Sequence, residues 1–414
     1  MKSKILISKD ILRSDYLSIY GNSTFETKNI DTICKNGTLF NNYYTGGPSS
    51  GMSQTVMFTG MNIHEIDRGY FHKVKQFDQC ETLYQIMEKK GYETHVLWDK
   101  KWYYGSRRKA MVYSENTNFH NLEIAQHVGP HGNHLRKKDG RIRVNNDSNP
   151  VKDLLEEIDK IISESKSAIF LWIHLPHVLL GYNGYGSDIQ LFDEFVGYVI
   201  DKFKDQEIYL TSDHGHMNLE RGIPCYGSHV YQGTIKIPFI TNKFFGKSII
   251  NDNYSNVQLK DILLNDKITP PDFVYSDSHY FLQPNRKLAI IKDEFKYIFS
   301  KKGSSEELYD LMTDPNETVN LLSDKIFDAE RLVSYFLDEV YHYPKWDKAE
   351  KYYTILKNEK KRVWKQGSWF AEKYINFREF KQAGVIKKTS SVIRPKKIIK
   401  GRWGSRAKVD LSKK

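Results

Sequence analysis

Acidic and histidine side chains lie at or just after the ends of three apolar segments, which the sequence predicts to be buried strands. These side chains are Asp10, His174, His177, Asp213 and His214. The carboxyl ends of parallel strands meet at one edge of a sheet, where functional groups gather. Carboxylate oxygens and imidazole nitrogens are donors that suit zinc and manganese. The pattern therefore predicts a metal site at that edge.

The segments that must position these groups alternate between strand and helix patterns. Strands are predicted at 4–8, 93–98, 168–174 and 207–211, and helices at 82–90, 151–163 and 189–203. This alternation is typical of an α/β protein with a mostly parallel sheet and helices on both faces. Near residue 280 the pattern changes, because short strands at 288–291 and 295–299 are joined by a tight turn. We therefore expect a small antiparallel subdomain after the main sheet.

The net charge of +11 is concentrated at the end of the chain. Residues 386–414, the basic tail, contain eleven basic side chains and one acidic side chain, Asp410. This tail is either a solvated, flexible extension or an arm that attaches to an anionic membrane or polymer by charge attraction. No motif of a specific nucleic-acid-binding fold accompanies it.

Length and composition exclude several classes of protein. With 414 residues, of which 39% are hydrophobic, the chain can build a core, so disorder of the whole chain is excluded. The three cysteines show no metal-binding spacing, and the first residues lack the long apolar run of a signal peptide. No apolar run is long enough to span a membrane. We expect a cytoplasmic protein with reduced thiols, which the basic tail could hold peripherally at a membrane.

Several motifs resemble, in their order along the chain, those of the sulfatase-like enzymes of the alkaline phosphatase superfamily. They are Asp10 to Gly21, Thr27 to Phe40, Gly91 to Thr94, Pro176-His177 with Asp193 and Gly197, Thr211 to Gly215 with His229 and Pro238, and Glu307 to Leu321. The resemblance implies an alkaline phosphatase-like α/β fold. In it, 1–280 form the catalytic domain, 281–345 a small C-terminal α+β subdomain, and 346–414 a charged helical extension with the basic tail.

The nucleophile position departs from the sulfatase pattern. Sulfatases carry Cys or Ser in a Cys/Ser-x-Pro-x-Arg motif ahead of a Thr-Gly pair, and modification turns this residue into formylglycine. The spacing to Thr59-Gly60 leads to Ser50, but the Pro and the Arg are absent. The resemblance therefore implies an unmodified Ser50 nucleophile, as in phosphatases and in phosphoethanolamine or phosphoglycerol transferases. Ser49 is a competing nucleophile, and both serines could instead belong to a turn after Pro48.

The metal ligands implied by the resemblance are Asp10, Ser50, Asp213 and His214. Sulfatases usually open with two adjacent aspartates, whereas here Ile11 follows Asp10, so one carboxylate is lost. The remaining donors suit one zinc or manganese ion, and calcium is an alternative.

Two histidines are implied to act on the substrate. His177 and His229 would stabilise the non-bridging oxygens of the ester or protonate its leaving oxygen. His174 lies three residues before His177, and an extended segment points the two to opposite faces. We therefore expect only one of them to reach the site, and the resemblance favours His177. Arg13 and Asp15 are expected to brace the loop after the first strand.

The predicted function is metal-dependent hydrolysis or transfer of phosphate- or sulfate-type esters through Ser50, in the modification of a surface glycan or lipid. One alternative is a transferase that moves a phosphoethanolamine- or phosphoglycerol-like group onto a glycan or lipid. The other is a relative that binds glycan without turnover, which the loss of the motif Arg and of the second aspartate favours. That second alternative is disfavoured because the candidate site residues are retained, namely Asp10, Asp213, His214, His177 and His229.

Overall fold

The computed structural model describes most of the first 322 residues. The described ranges are 1–63, 65–66, 80–99, 112–122, 150–175, 185–218, 220–278, 287–300 and 307–322. His177 and the basic tail lie outside these ranges, so what the sequence predicts for them stays a prediction.

The described strands are β1 (Lys4–Lys9), β2 (Thr38–Tyr44), β3 (Glu93–Asp99), β4 (Asn118–Leu122), β5 (Ile169–Leu175), β6 (Glu207–Ser212), β7 (Met217–Asn218), β8 (Pro224–Cys225), β9 (Phe239–Thr241), β10 (Ile249–Ser255), β11 (Val274–Asp277), β12 (Lys287–Lys292), β13 (Phe295–Ser300) and β14 (Glu307–Asp310). The helices are α1 (Lys28–Ile33), α2 (Ser50–Thr59), α3 (Leu83–Lys89), α4 (Pro150–Glu164), α5 (Tyr185–Lys202), α6 (Gln232–Ile235) and α7 (Leu259–Leu264). Every strand predicted from the sequence is confirmed, and the predicted helices correspond to α3, α4 and α5.

The main sheet is mostly parallel, as the sequence predicts. Its strand order is β10-β2-β9-β6-β1-β5-β3-β4. Strand β9 runs antiparallel to β2 and to β6, whereas the other neighbouring strands are parallel. The sheet therefore brings the carboxyl ends of β1, β5 and β6 to the same edge.

Buried side chains cover both faces of this sheet. Ile5 and Ile7 of β1 pack into one apolar cluster together with residues of α4 and α5. Leu6 points to the opposite face, into a cluster rich in aromatic side chains that includes Trp98 and Trp172. A strand buried on both faces needs apolar residues at successive positions, which explains the unbroken apolar runs in the sequence. Among the described residues, no helix combines the length and apolar character needed to cross a bilayer.

A second, smaller sheet follows the main one. Its four strands have the order β11-β12-β13-β14, and every neighbouring pair is antiparallel. The hairpin of β12 and β13 confirms the hairpin predicted from the sequence. The first strand of this small sheet, β11, comes before residue 280, where the sequence places the division between the two domains. The domain boundaries themselves stay predictions.

Two of the segments that resemble sulfatase motifs contact each other in the structure, namely 27–40 and the pair Asp193 and Gly197. The carboxylate of Asp193 on α5 accepts hydrogen bonds from the backbone amides of Asn29 and Ile30, at 3.2 Å and 2.8 Å. Gly197 lies one turn further along α5, and a Cβ on it would come within 2.8 Å of the Asn29 side chain. Asp193 and Gly197 therefore dock α1 against α5.

Candidate metal centre and active site

The pairing of β1 with β6 places two aspartates side by side. Lys9 is opposite Ser212 in this parallel pair, and the next residues along the two strands are Asp10 and Asp213. The Ser212 hydroxyl donates to the Lys9 carbonyl at 2.7 Å and accepts from the amide of Leu12 at 3.0 Å. These bonds fasten the loop after β1 to the end of β6, so the sheet itself positions both carboxylates.

The backbone turns sharply directly after Asp10. Ile11, which stands where sulfatases have a second aspartate, adopts a φ of 59°. A β-branched residue rarely takes this left-handed conformation, which persists only where the surrounding structure imposes it. The side chain of Ile11 is buried, so this position supplies packing and no ligand.

Asp10, Asp213 and His214 form a compact group of candidate metal ligands. One ligand atom from each lies within 4.8 Å of the others, and all three residues are buried. Nε2 of His214 is 3.5 Å from Oδ1 of Asp10 and 3.7 Å from Oδ2 of Asp213. Nδ1 of His214 lies 2.9 Å from the carbonyl oxygen of Gly215, which can only accept, so Nδ1 carries the proton. Nε2 therefore turns its lone pair to the site.

The electrostatics of this group fit a bound cation. Oδ2 of Asp213 is buried and accepts no hydrogen bond from a described residue. Burial raises the pKa of Asp10 well above its usual range, and the charge of Asp213 raises it further, whereas the charge of Lys9 and the amide of Ile11 lower it. Two carboxylates buried side by side are costly unless a positive charge lies between them. The two oxygens and one nitrogen are donors that suit a divalent zinc or manganese ion.

Ser50 is the first residue of α2 and reaches the same group. Its Oγ lies 3.1 Å from Nε2 of His214, and the residue is partly exposed. Ser49 precedes the helix in an extended conformation, and its amide donates to the carbonyl of Gly47. The contact with His214 therefore favours Ser50 over Ser49 as the candidate nucleophile.

Asn256 holds the loop that carries Ser50. Its Oδ1 accepts from the amide of Gly46 at 2.8 Å, and its Nδ2 donates to the hydroxyls of Thr45 and Ser53 at 3.1 Å and 2.8 Å. Asn256 is buried, so these bonds are shielded from water. Nothing in the sequence pattern singles this residue out, because it lies more than 200 positions from the loop that it holds.

His174, which the sequence analysis places second to His177, lies against the metal ligands. Its Nε2 is 3.8 Å from Oδ2 of Asp213. Its Nδ1 is 2.8 Å from Oγ of Ser8, which also accepts from the indole N–H of Trp172 at 2.8 Å. Burial lowers the pKa of His174, so the neutral imidazole is favoured. His177 lies outside the described residues, so its role stays a prediction.

Residues 226–235, here called the site loop, pack against His214. The ring of Tyr226 lies over the imidazole of His214, with 4.2 Å between the ring centres. The amide of Gly215, the residue after His214, donates to the carbonyl of Thr234 at 2.9 Å. The loop also carries His229, which is buried and stacks on Tyr231. The sequence analysis does not foresee Tyr226, because a tyrosine in a chain rich in tyrosine gives no signal.

Arg13 braces the loop after β1, as the sequence analysis expects. Its guanidinium pairs with Asp15 at 2.6 Å and with Glu220 at 2.5 Å. It also donates to the backbone carbonyl of His216 at 3.1 Å. The charges of Asp15 and Glu220 balance the charge of Arg13. Arg13 therefore links the loop after β1 to the segment 216–220.

Comparisons with known proteins show which proteins this chain is similar to. A family model described as Sulfatase matches residues 3–178. An arylsulfatase of Clostridium perfringens is 30% identical over 122 residues, which are 29% of this chain and 23% of that protein. The aligned segment thus spans less than a quarter of the curated relative.

Solved structures share the fold over most of both chains. The phosphonate monoester hydrolase of Agrobacterium radiobacter superimposes with a TM-score of 0.65 at 14% identity, covering 83% of this chain and 95% of that one. A 2-O GAG sulfatase gives a TM-score of 0.63 at 16% identity, covering 87% and 94%. At such identities the likeness establishes the fold. The sequence match makes residues 3–178 similar to the Sulfatase family, and the shared fold is the one seen in these sulfatase and phosphonate monoester hydrolase structures.

Proposed function

We propose that the chain is a metal-dependent hydrolase of sulfate- or phosphate-type esters, with Ser50 as its nucleophile. The observation that carries this proposal is the 3.1 Å contact between Oγ of Ser50 and Nε2 of His214, a member of the group that fits a cation. Ser50 is partly exposed, whereas the candidate ligands behind it are buried. An ester can therefore approach the hydroxyl from the solvent side.

The residues present define what each group contributes to the reaction. A divalent ion held by Asp10, Asp213 and His214 supplies two effects, since it lowers the pKa of an adjacent alcohol and offsets the negative charge of the ester. Ser50 also stands in the first turn of α2, where free backbone N–H groups favour negative charge.

Ester cleavage then proceeds through a covalent serine ester. Oγ of Ser50 loses its proton to water and bonds to the sulfur or phosphorus, while the alcohol oxygen leaves with the bonding electron pair. His229 of the site loop, or His177, donates the proton that this oxygen takes up. Water then bonds to the sulfur or phosphorus while Oγ of Ser50 leaves with the bonding electron pair. Oγ takes up a proton that the attacking water loses, which restores the hydroxyl and releases the sulfate- or phosphate-type product.

The names of similar proteins support hydrolysis and an anionic ester as substrate. An arylsulfatase, a phosphonate monoester hydrolase and a 2-O GAG sulfatase are among them. The 2-O GAG sulfatase in particular supports an ester borne on a glycan. No described residue favours transfer to a second acceptor over hydrolysis, so hydrolysis is the function proposed.

Turnover of three chromogenic esters with and without metal tests this proposal. We expect the protein to hydrolyse at least one of 4-nitrophenyl sulfate, bis(4-nitrophenyl) phosphate and 4-nitrophenyl phenylphosphonate. Turnover should vanish after a chelator removes the ion and return on addition of zinc, manganese or calcium. Asp213→Asn, which keeps the size of the side chain and removes its charge, should bind the ion weakly and lose turnover. Hydrolysis of none of the three esters with any ion would contradict the proposal.

A further inference from the structure

The small sheet sends a buried carboxylate, Glu307, to the site loop. It accepts from the hydroxyl of Tyr231, with oxygen–oxygen distances of 3.0 Å and 2.9 Å, and from the hydroxyl of Tyr309 at 2.6 Å. Tyr231 belongs to the site loop, whereas Tyr309 is a neighbour of Glu307 on β14. Both hydroxyls are held by a charged acceptor, and such hydrogen bonds are stronger than neutral ones.

A second carboxylate, Glu317, reaches the adjacent residue of the loop. Its Oε2 accepts from the backbone amide of Gln232 at 2.7 Å, and its Oε1 pairs with Lys296 of β13 at 2.5 Å. Glu317 and Lys296 are almost fully buried. The small sheet thus neutralises the charge of Glu317 and aims the carboxylate at the first turn of α6.

Arg221 contacts both Glu317 and the two tyrosines that bind Glu307. Its guanidinium donates to the carbonyl of Glu317 and to the hydroxyl of Tyr309, and it lies over the ring of Tyr231 at 4.5 Å. Arg221 and Glu317 both have positive φ angles, 55° and 57°, which non-glycine residues adopt only where the structure imposes them. These two strained conformations indicate that the surrounding contacts hold the backbone at Arg221 and at Glu317 in place.

The junction connects directly to the candidate active site. Tyr231 stacks on His229 with the two rings nearly parallel, at 5.8 Å. Further along the site loop, the backbone carbonyl of Thr234 accepts a hydrogen bond from the amide of Gly215, the residue after the candidate ligand His214. A Cβ on Gly215 would come within 2.2 Å of the carbonyl oxygen of Gly233, so the loop and the metal-ligand segment are in close contact.

We propose that the small sheet is a working part of the active site, in which Glu307 and Glu317 are positioning residues for His229. They hold the site loop through Tyr231 and Gln232, so that the imidazole of His229 keeps the orientation it needs to act on the ester. This inference rests on the proposed function for the role of His229. It also gives the C-terminal motif, from Glu307 to Leu321, a purpose beyond packing the small sheet.

A matched pair of conservative variants tests this inference. Tyr231→Phe and Tyr309→Phe each remove one hydroxyl that Glu307 binds, but only Tyr231 lies on the site loop. We expect Tyr231→Phe to lower kcat about tenfold with KM changed by less than about twofold, because misorientation of a catalytic group acts on the chemical step. Tyr309→Phe should stay within about twofold of wild type in both constants, although both variants lose comparable thermal stability.

A second readout does not need turnover. Diethyl pyrocarbonate modifies accessible neutral imidazoles, and mass spectrometry measures the rate at His229. We expect that rate to rise several-fold in Tyr231→Phe and to stay at the wild-type value in Tyr309→Phe. A wild-type protein without ester hydrolysis would count against the proposed function, while the modification rates would still decide this inference. Equal modification rates in the two variants, or an equal loss of kcat in both, would overturn it.

Discussion

Oγ of Ser50 lies 3.1 Å from Nε2 of His214, although the two residues are 164 positions apart in the chain. The first turn of α2 brings the hydroxyl to this point, and the end of β6 brings the imidazole. The carbonyl of Gly215 fixes the imidazole with its lone pair towards the site. The hydroxyl therefore stands beside a candidate metal ligand, as the role proposed for Ser50 requires.

His174 should influence cation binding through Asp213. Its Nε2 faces Oδ2 of Asp213 at 3.8 Å, and the hydroxyl of Ser8 holds its Nδ1. Mutation of a side chain that lies against a metal ligand typically changes metal affinity by about 10- to 100-fold. We expect His174→Gln to weaken cation binding by that factor, and Ser8→Ala to weaken it less, as measured by calorimetry on metal-depleted protein. His120→Gln, a histidine on β4, is the control, and an equal loss there would show a general effect on folding.

Acid should destabilise the protein in part through His95. Burial lowers the pKa of His95 to about 4, and His120, whose Nε2 lies 3.0 Å from its Nδ1, lowers it as well, whereas Glu93 raises it. An unfolded histidine titrates near 6.5, so between pH 6.5 and 4 the unfolded chain binds more protons. The contribution to stability is therefore complete above pH 6.5 and is lost as the pH falls towards 4.

The size of this effect can be measured by urea unfolding at pH 7.5 and pH 5. We expect the wild type to lose about 2 kcal/mol more than His95→Gln between these two pH values, since one pKa unit corresponds to about 1.4 kcal/mol. Titrating groups that do not contact His95 are common to both proteins and cancel in the comparison. The same pH dependence in both would show that His95 takes up its proton as readily in the folded state as in the unfolded state.

Removal of the basic tail should separate attachment from catalysis. The eleven basic residues of 386–414 predict attraction to anionic surfaces, and salt should weaken that attraction. We expect the protein without 386–414 to hydrolyse a small soluble ester within about twofold of the full chain and to lose salt-sensitive binding to vesicles that contain anionic lipid. Vesicles of neutral lipid are the control. Loss of ester hydrolysis on deletion would mean that the tail belongs to the catalytic fold.

The sequence predicts the central strands well, because strands buried on both faces are unbroken apolar runs. It does not predict β9, since the three residues Phe239–Thr241 are too short to show a pattern. It also does not predict α2, in which Met52 to Thr59 are all buried, so no polar face marks a helical period. The small-sheet hairpin is predicted because two short apolar segments flank a charged turn.

The candidate site is partly predictable for a related reason. Asp10, Asp213 and His214 follow the strands that the sequence reveals, so the meeting point of those strands is predictable. The contact of His174 with Asp213 depends on the continuation of β5 to Leu175, where Ser8 and His174 are paired in register. The contacts of Glu307 and Glu317 with the site loop join segments about 75 to 85 residues apart. Contacts at that separation come from tertiary packing, which a single sequence does not reveal.

The most direct test of the account compares the turnover of Ser50→Ala with that of Ser49→Ala, with both variants loaded with metal. The substrate is the nitrophenyl ester that the wild-type protein hydrolyses fastest. The account predicts a loss of about 1000-fold or more in kcat for Ser50→Ala, because the covalent path needs that hydroxyl, and a change of less than about threefold for Ser49→Ala. Turnover retained in Ser50→Ala, or lost only in Ser49→Ala, would contradict it.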